Sequence, residues 1–439
     1  MKFRGLIAAA VVLLALAGVL YWSEHRKPKE TAETSSESPA ILKIDPAAVT
    51  ALTVKQKAAQ PVTLVRSGAQ WLITSPGTFP ADARAISDML TTLGPLNSQS
   101  VVEDHAANLP EFGLSDPAVE IDVTTKDNKT IRLLLGDDAP TGDGVYVAIV
   151  GDPRVFTASS SVKTSLTKTL SDLRDKRLLP VEASTVSGID LMRKGDDLAF
   201  ARIENGWQIE KPKPYRTDDF QVDDLLQQLT SAKWDGTVSS ADATKAFAHA
   251  APVASVKLTG GSGNDTLDIR KDKDDYYAKS SAAPGTWKID SADSSALGQA
   301  LGHTLDDFRN KQLFDFGYSD PDKIEYRSGA TNLVLTHTNG AWRSNGQKMD
   351  SPSVESFVTA LRDQAASKFV DSGFTTPQIE ITVTANGGKK VDKVQIQKTG
   401  DTAIAKLEGD SSLYALDAPT INSLTSAIAS IKPALAGKK

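Results

Sequence analysis

The chain has 439 residues, 40% of them hydrophobic and 24% charged, a globular composition that excludes global disorder. Its length is enough for roughly three domains or a repeat. The 55 Asp and Glu residues outnumber the 49 Lys and Arg residues, giving a net charge of -6, which argues against a nucleic-acid binder. No cysteine is present, so disulfides, thiol nucleophiles, iron–sulfur clusters, Cys-ligated zinc and a lipid-modified N-terminal cysteine are excluded.

Gly5 to Trp22 form an 18-residue apolar run. At about 1.5 Å per residue a helix of that length spans roughly 27 Å, enough for a thin hydrocarbon core. Lys2 and Arg4 precede the run, and Tyr21 and Trp22 close it as interfacial aromatics would. A cleaved signal peptide cut after Ala15-Leu16-Ala17 is the rival reading. Cutting there would leave Gly18 to Trp22 as an apolar stub, so an uncleaved anchor is preferred. Both readings export the rest of the chain. Pro28 to Ala40 carry no large apolar side chain and read as a flexible tether.

An internal repeat follows. A glycine turn leads into a tryptophan three times, at Gly68 to Trp71, Gly206-Trp207 and Gly340 to Trp342, with tryptophan spacings of 136 and 135 residues. Alternating strand-like runs start before each turn at Val62, Ala199 and Leu333. A helix is predicted after each turn from apolar residues spaced i, i+3, i+4, i+7. The sets are Ile86, Met89, Leu90, Leu93; then Val222, Leu225, Leu226, Leu229; then Val354, Phe357, Val358, Leu361. Predicted N-caps are Asp82, Thr217 and Ser351, the last with Pro352 at N1. Three strand patterns return after each helix. A short aromatic-bearing strand at Phe156, Trp287 or Tyr414 is expected to close each sheet, with a second helix near Ser160, Ser294 or Thr420.

The expected fold class is therefore α+β: an N-terminal transmembrane helix followed by three tandem repeats, each an antiparallel sheet covered by two helices. The expected boundaries are 1–27 for the anchor or signal segment, 28–40 for the tether, and 41–180, 181–316 and 317–439 for the repeats. The first two repeats end alike, in Leu173 to Leu178 (LRDKRL) and Phe308 to Leu313 (FRNKQL), and the third stops without an equivalent. A motif found only where another repeat follows reads as a joint rather than an active site.

No catalytic, cofactor-binding or metal-ligating residue is assigned, and no cofactor is expected. The five histidines, His25, His105, His249, His303 and His337, show no helical ligand spacing and no H-E-x-x-H. Asp137-Asp138 and Asp272 to Asp275 read as solvated turns; the latter lacks the Gly and distal Glu of a calcium loop. Ser160 to Lys163 and Ser165 to Lys168 match S-x-x-K, in which a lysine activates a serine, but the companion S-D-N and K-T-G motifs are missing, so a polar helix face is expected. Gly260 to Asn264 misses G-x-S-x-G at its last position and reads as a turn. Neither a Walker motif nor G-x-G-x-x-G occurs. Trp71, Trp207 and Trp342 are expected to pack against their helices rather than stack on sugars. Asn128-Lys129-Thr130 and Asn264-Asp265-Thr266 match the glycosylation sequon, a pattern short enough to arise by chance.

The anchor, the tether, the tandem Gly-Trp hairpins, Pro80-Ala81-Asp82 at a helix start, Phe112 to Pro117 (FGLSDP) and Leu173 to Leu179 (LRDKRLL) together resemble an uncharacterised bacterial envelope family. It is a tandem domain of unknown function, often encoded beside ABC-type transporter components of the gliding-motility auxiliary type. The second and third repeats keep the FGLSDP position only loosely, as Phe247 to Pro252 and Phe374 to Pro377. The resemblance spans about residues 41 to 433 and transfers no catalytic residue. It implies an accessory role at the membrane. The functional expectation is a non-enzymatic scaffold, single-pass in the bacterial inner membrane with its body in the periplasm. It would bind protein partners of a membrane complex, such as an ABC-type transporter, and no nucleic acid. The alternative is an envelope hydrolase or carbohydrate-binding protein with a site between repeats.

Overall fold

The computed structural model describes residues 39–140, 142–261 and 263–435. The predicted span Gly5 to Trp22, the candidate cleavage site and nearly all of the tether lie outside the described residues. Among the described residues no helix is long and apolar enough to cross a membrane.

Three large antiparallel sheets of nine, eight and nine strands dominate, each built outward from a central pair. These pairs are Val49–Gln56 beside Val119–Thr125, Val186–Arg193 beside Ala251–Gly260, and Lys323–Ser328 beside Ile379–Ala385. Residues two apart on a strand share a face, so Leu52 and Val54 point into the core while Thr53 and Lys55 point out. In register, Leu52 faces Val123, Leu191 faces Val256 and Tyr326 faces Ile381. A separate two-stranded sheet pairs Ala40–Lys43 with Pro95–Asn97.

The helices Ala83–Leu93, Asp219–Ser231 and Ser351–Arg362 lay their apolar stripes on the three sheets, and all twelve residues predicted for those stripes are buried. Each helix is capped by aspartate. Asp82 accepts hydrogen bonds from the Arg84 and Ala85 amides, Asp218 from Gln221 and Asp350 from Ser353. The predicted caps Thr217 and Ser351 are thus each displaced by one residue. Thr217 is engaged elsewhere: its hydroxyl accepts from the Ile209 amide at 2.9 Å. Ser351 is the first helical residue and Pro352 the second.

The expected architecture requires correction. Strands make up 44% of the structure and helix 24%, so sheet dominates the α+β expectation. The scheme of three equivalent repeats, each with two helices over one sheet, does not describe residues 39–435. Among the described residues, three helices accompany the first sheet, four the second and two the third. The contacts divide the chain into two compact units, one up to Asp175 and one from Lys176, with the second and third sheets together in the latter. Hydrophobic period marks where a helix or strand lies but not how such elements group, which long-range packing decides. Leu170–Leu173 and Leu305–Phe308 are too short to show a helical period, and Ser240–His249 is Ala-rich.

Two local expectations also change. The aromatic strands at Phe156 and Tyr414 do not close their sheets, because Ser100–Glu103 and Lys368–Val370 pair outside them. The third sheet does have a counterpart to the segments Leu173 to Leu178 and Phe308 to Leu313. The amides of Asp82, Asp218 and Asp350 donate to the carbonyls of Leu173, Phe308 and Lys432, and Asp175, Asn310 and Ala434 donate back to Pro80, Arg216 and Lys348. The pairing is made by backbone, so it survives where Arg174 and Arg309 give way to Pro433.

Candidate functional site

Within the unit from Lys176, the segment Phe308 to Leu313 touches both sheets. Asn310 donates to Arg216 beside the second sheet, while Leu313 donates to Gln364 and Ala366 donates to Lys311 beside the third. Arg309 is the side chain that this geometry buries, at 8% exposure. Its guanidinium carbon lies 4.1 Å from the Tyr215 ring centroid and 3.4 Å from that of Phe369. One amino group bonds Asp306 and the other the Ser412 hydroxyl, both at 2.9 Å. Among the described residues the buried Nε has no partner. A delocalised, weakly hydrated guanidinium between two aromatic faces costs less to desolvate than an ammonium would.

The loop from Glu408 to Ser412 lies beside Arg309 and carries a second network. Asp410 accepts from the Tyr414 hydroxyl at 2.6 Å and from the Ser412 amide at 2.7 Å. Burial works to raise the Asp410 pKa, but the Tyr414 and Ser412 hydrogen bonds outweigh it and hold the carboxyl below the usual range. Burial, aided by the bond to Asp410, pushes the Tyr414 hydroxyl up to about 12. Asp410 is therefore ionised and Tyr414 neutral at pH 7. Neither is poised to exchange a proton near neutrality, and the pair acts as a fixed polar strut.

Two cavities flank this loop. One of about 400 Å³ is lined by Arg216, Asp315, Lys390, Asp392 and Glu408, among others. Its charges are largely paired, Lys390 with Asp315 and Lys393 with Glu408, each at 3.1 Å. The other, of about 470 Å³, is lined by Lys213, Arg309 and Lys406, by Asp371 and Asp410, and by Tyr215 among others. The arrangement can hold polar or charged groups of a partner by hydrogen bonds.

The residues singled out in the sequence are dispersed. Ser160 is exposed on the helix Ser160–Leu166, and Lys163 forms an ion pair with Asp138 at 2.7 Å. Ser165 lies on the same helix, but Lys168 falls beyond its end. Asp272 and Asp275 pair across a tight turn in which Lys273 has φ of 54°. Gly260 and Gly263 face each other at a hairpin end, and Asn264 pairs with Thr259 within it. His105 is exposed, His249 ends a helix, and His337 stacks on Trp342 at 4.8 Å. The buried Nδ1 of His303 has no partner among the described residues. Among the described residues, no group of three His, Cys, Asp or Glu could hold a metal ion. Trp71, Trp207 and Trp342 are all buried. The Trp207 indole donates to Asp223 of the helix Asp219–Ser231 at 2.8 Å.

The Arg309 cluster has no motif of its own in the sequence. The only trace was the pairing of Leu173 to Leu178 with Phe308 to Leu313, since Tyr215, Phe369 and Ser412 lie far from Arg309 along the chain. Arg174 makes a related contact, 4.3 Å over the Phe79 ring.

The fold and these contacts define a sheet-rich protein of antiparallel sheets with helices packed on them. The family model described as Domain of unknown function (DUF4340) matches residues 71–208 and 207–380, and the chain belongs to that family. No curated protein matches the chain. Similar solved structures include a DNA polymerase sliding clamp from Pseudomonas aeruginosa with ligand, at 8% identity over 86% of this chain and 93% of that one, with a TM-score of 0.15. A DnaN sliding clamp (DNA polymerase III subunit beta) from the same organism, bound to griselimycin, is also 8% identical, over 87% and 94%, with a TM-score of 0.15. Scores this low carry no argument about fold or function.

Proposed function

We propose that this chain is a membrane-anchored accessory protein of the bacterial envelope. Its body lies in the periplasm and binds protein partners of a membrane complex, of the ABC-transporter type that the family resemblance implies. The observation that carries this reading is the apolar run Gly5 to Trp22 followed by the polar stretch Pro28 to Ala40, ahead of the compact units. The cleft beside Arg309 adds support: its ionised and neutral groups are fixed in place, which suits recognition with little ordering cost.

Photo-crosslinking in intact bacteria, with the crosslinker at Lys213 or Lys406, tests the reading. Recovery of membrane-complex subunits, together with digestion of the body by protease added to the periplasm, is the expected result. A body protected from that protease, or crosslinks confined to cytosolic proteins, would overturn it.

A further inference from the structure

The second sheet carries a groove of different character on the face that also bears the helix Ser240–His249. Its volume is about 440 Å³. The apolar part of its lining includes Phe247, Pro252, Val253 and Met192, the last 44% exposed. Lys194, Arg270 and Lys279 line it as well, and none of the three has a carboxylate within 4 Å among the described residues. Arg193 also lines it but is committed to Asp196 and to the Leu301 and His303 carbonyls. Asp268 is the single acidic residue of the lining. An excess of positive charge is thus concentrated here on a chain whose net charge is -6.

Two of these cations lie against one aromatic ring. The Arg270 guanidinium carbon and the Lys279 ammonium lie 4.5 and 4.8 Å from the centroid of the same Phe247 ring. Arg270 is further fixed by donating to the Phe247 carbonyl at 3.1 Å. Lys279 stands opposite Asp268 in the strand register, so the lining sets four cations against one carboxylate, and that net positive charge favours an anion. The small volume suits a compact anion, and the apolar lining suits a short hydrocarbon attached to it.

We propose that this groove binds a phosphate monoester carried on an aliphatic arm. Arg270, Lys194 and Lys279 hold the phosphate, and Pro252, Val253 and Met192 cover the arm. Bidentate guanidinium contact with phosphate is the strongest element of such a site. The proposal stands apart from the envelope role above, since it concerns the groove alone.

Calorimetric titration of the full chain with inorganic phosphate and with hexyl phosphate tests it. Hexyl phosphate is expected to bind about tenfold more tightly than inorganic phosphate, because burying two or three methylenes is worth that factor or more. The Lys194→Ala/Lys279→Ala variant is expected to weaken hexyl phosphate at least about tenfold, while Lys129→Ala, at a hairpin of the first sheet, leaves it unchanged. Both lysines of the double variant are exposed, so folding is preserved. Dihexanoyl phosphatidic acid separates the sources: tighter binding than hexyl phosphate assigns a lipid headgroup, and weaker binding a soluble ester. Equal affinities for inorganic and hexyl phosphate, an unchanged double variant, or displacement of hexyl phosphate by a tetraglutamate peptide at lower concentration would each overturn the proposal.

Discussion

Replacing Arg309 with Ala removes the side chain that joins the second and third sheets within their compact unit. Two desolvated cation–aromatic contacts, with Tyr215 and Phe369, are worth about 1 kcal/mol each. The charged hydrogen bond to Ser412 adds about 1.5 kcal/mol. Asp306 is 48% exposed, so its ion pair contributes little. The buried aliphatic stem contributes by packing, and deleting the unpartnered Nε returns part of the loss. The net expectation is about 3 kcal/mol, a shift of about 150-fold in a local opening equilibrium. Native-state hydrogen exchange on the full chain reads this directly at the Leu313 and Ala366 amides, which bond across the junction to Gln364 and Lys311. Arg309→Met keeps most of the stem volume and is expected to recover about half of the loss. Amides of the helix Ala83–Leu93, in the other compact unit, serve as the internal reference. If Arg309→Ala leaves protection at Leu313 and Ala366 within threefold of the parent, the stacked guanidinium is not what holds the two sheets together.

Two further expectations follow from the same packing. Gly206 has φ of +120°, and a Cβ there would sit 2.2 Å from a carboxylate oxygen of Asp219, which accepts the Trp207 amide at 2.7 Å. Gly206→Ala should therefore cost about 3 kcal/mol, whereas Gly195→Ala, at φ of +83° with open space around it, should cost about 1 kcal/mol from strain alone; calorimetric melting should show the difference, and equal losses would refute the clash. The Tyr414 pKa is raised from an ordinary 10 to about 12, so its contribution to stability is complete below pH 10 and is lost as the pH rises from 10 through about 12. Denaturant titrations of the parent and Tyr414→Phe should show the parent losing ground to the variant across that window, and a constant difference would refute the assignment.

The sequence by itself determined the local elements. The buried stripes Ile86 to Leu93, Val222 to Leu229 and Val354 to Leu361 were legible because a helix returns to the same face every three to four residues. The Gly-Trp hairpins were legible because a tight turn needs glycine or asparagine at a positive φ, as Gly68, Asn339 and Gly340 show. What the sequence left undecided depends on residues distant along the chain. The pairing of Val186–Arg193 with Ala251–Gly260, the backbone bond from Asp350 to Lys432, the grouping of the second and third sheets in one compact unit, and the meeting of Arg309 with Tyr215, Phe369 and Ser412 leave no period in the sequence. Local conformation is set by neighbouring side chains and can be read in order. Which surfaces meet is set by burial summed over the whole unit, and only the tertiary structure decided it.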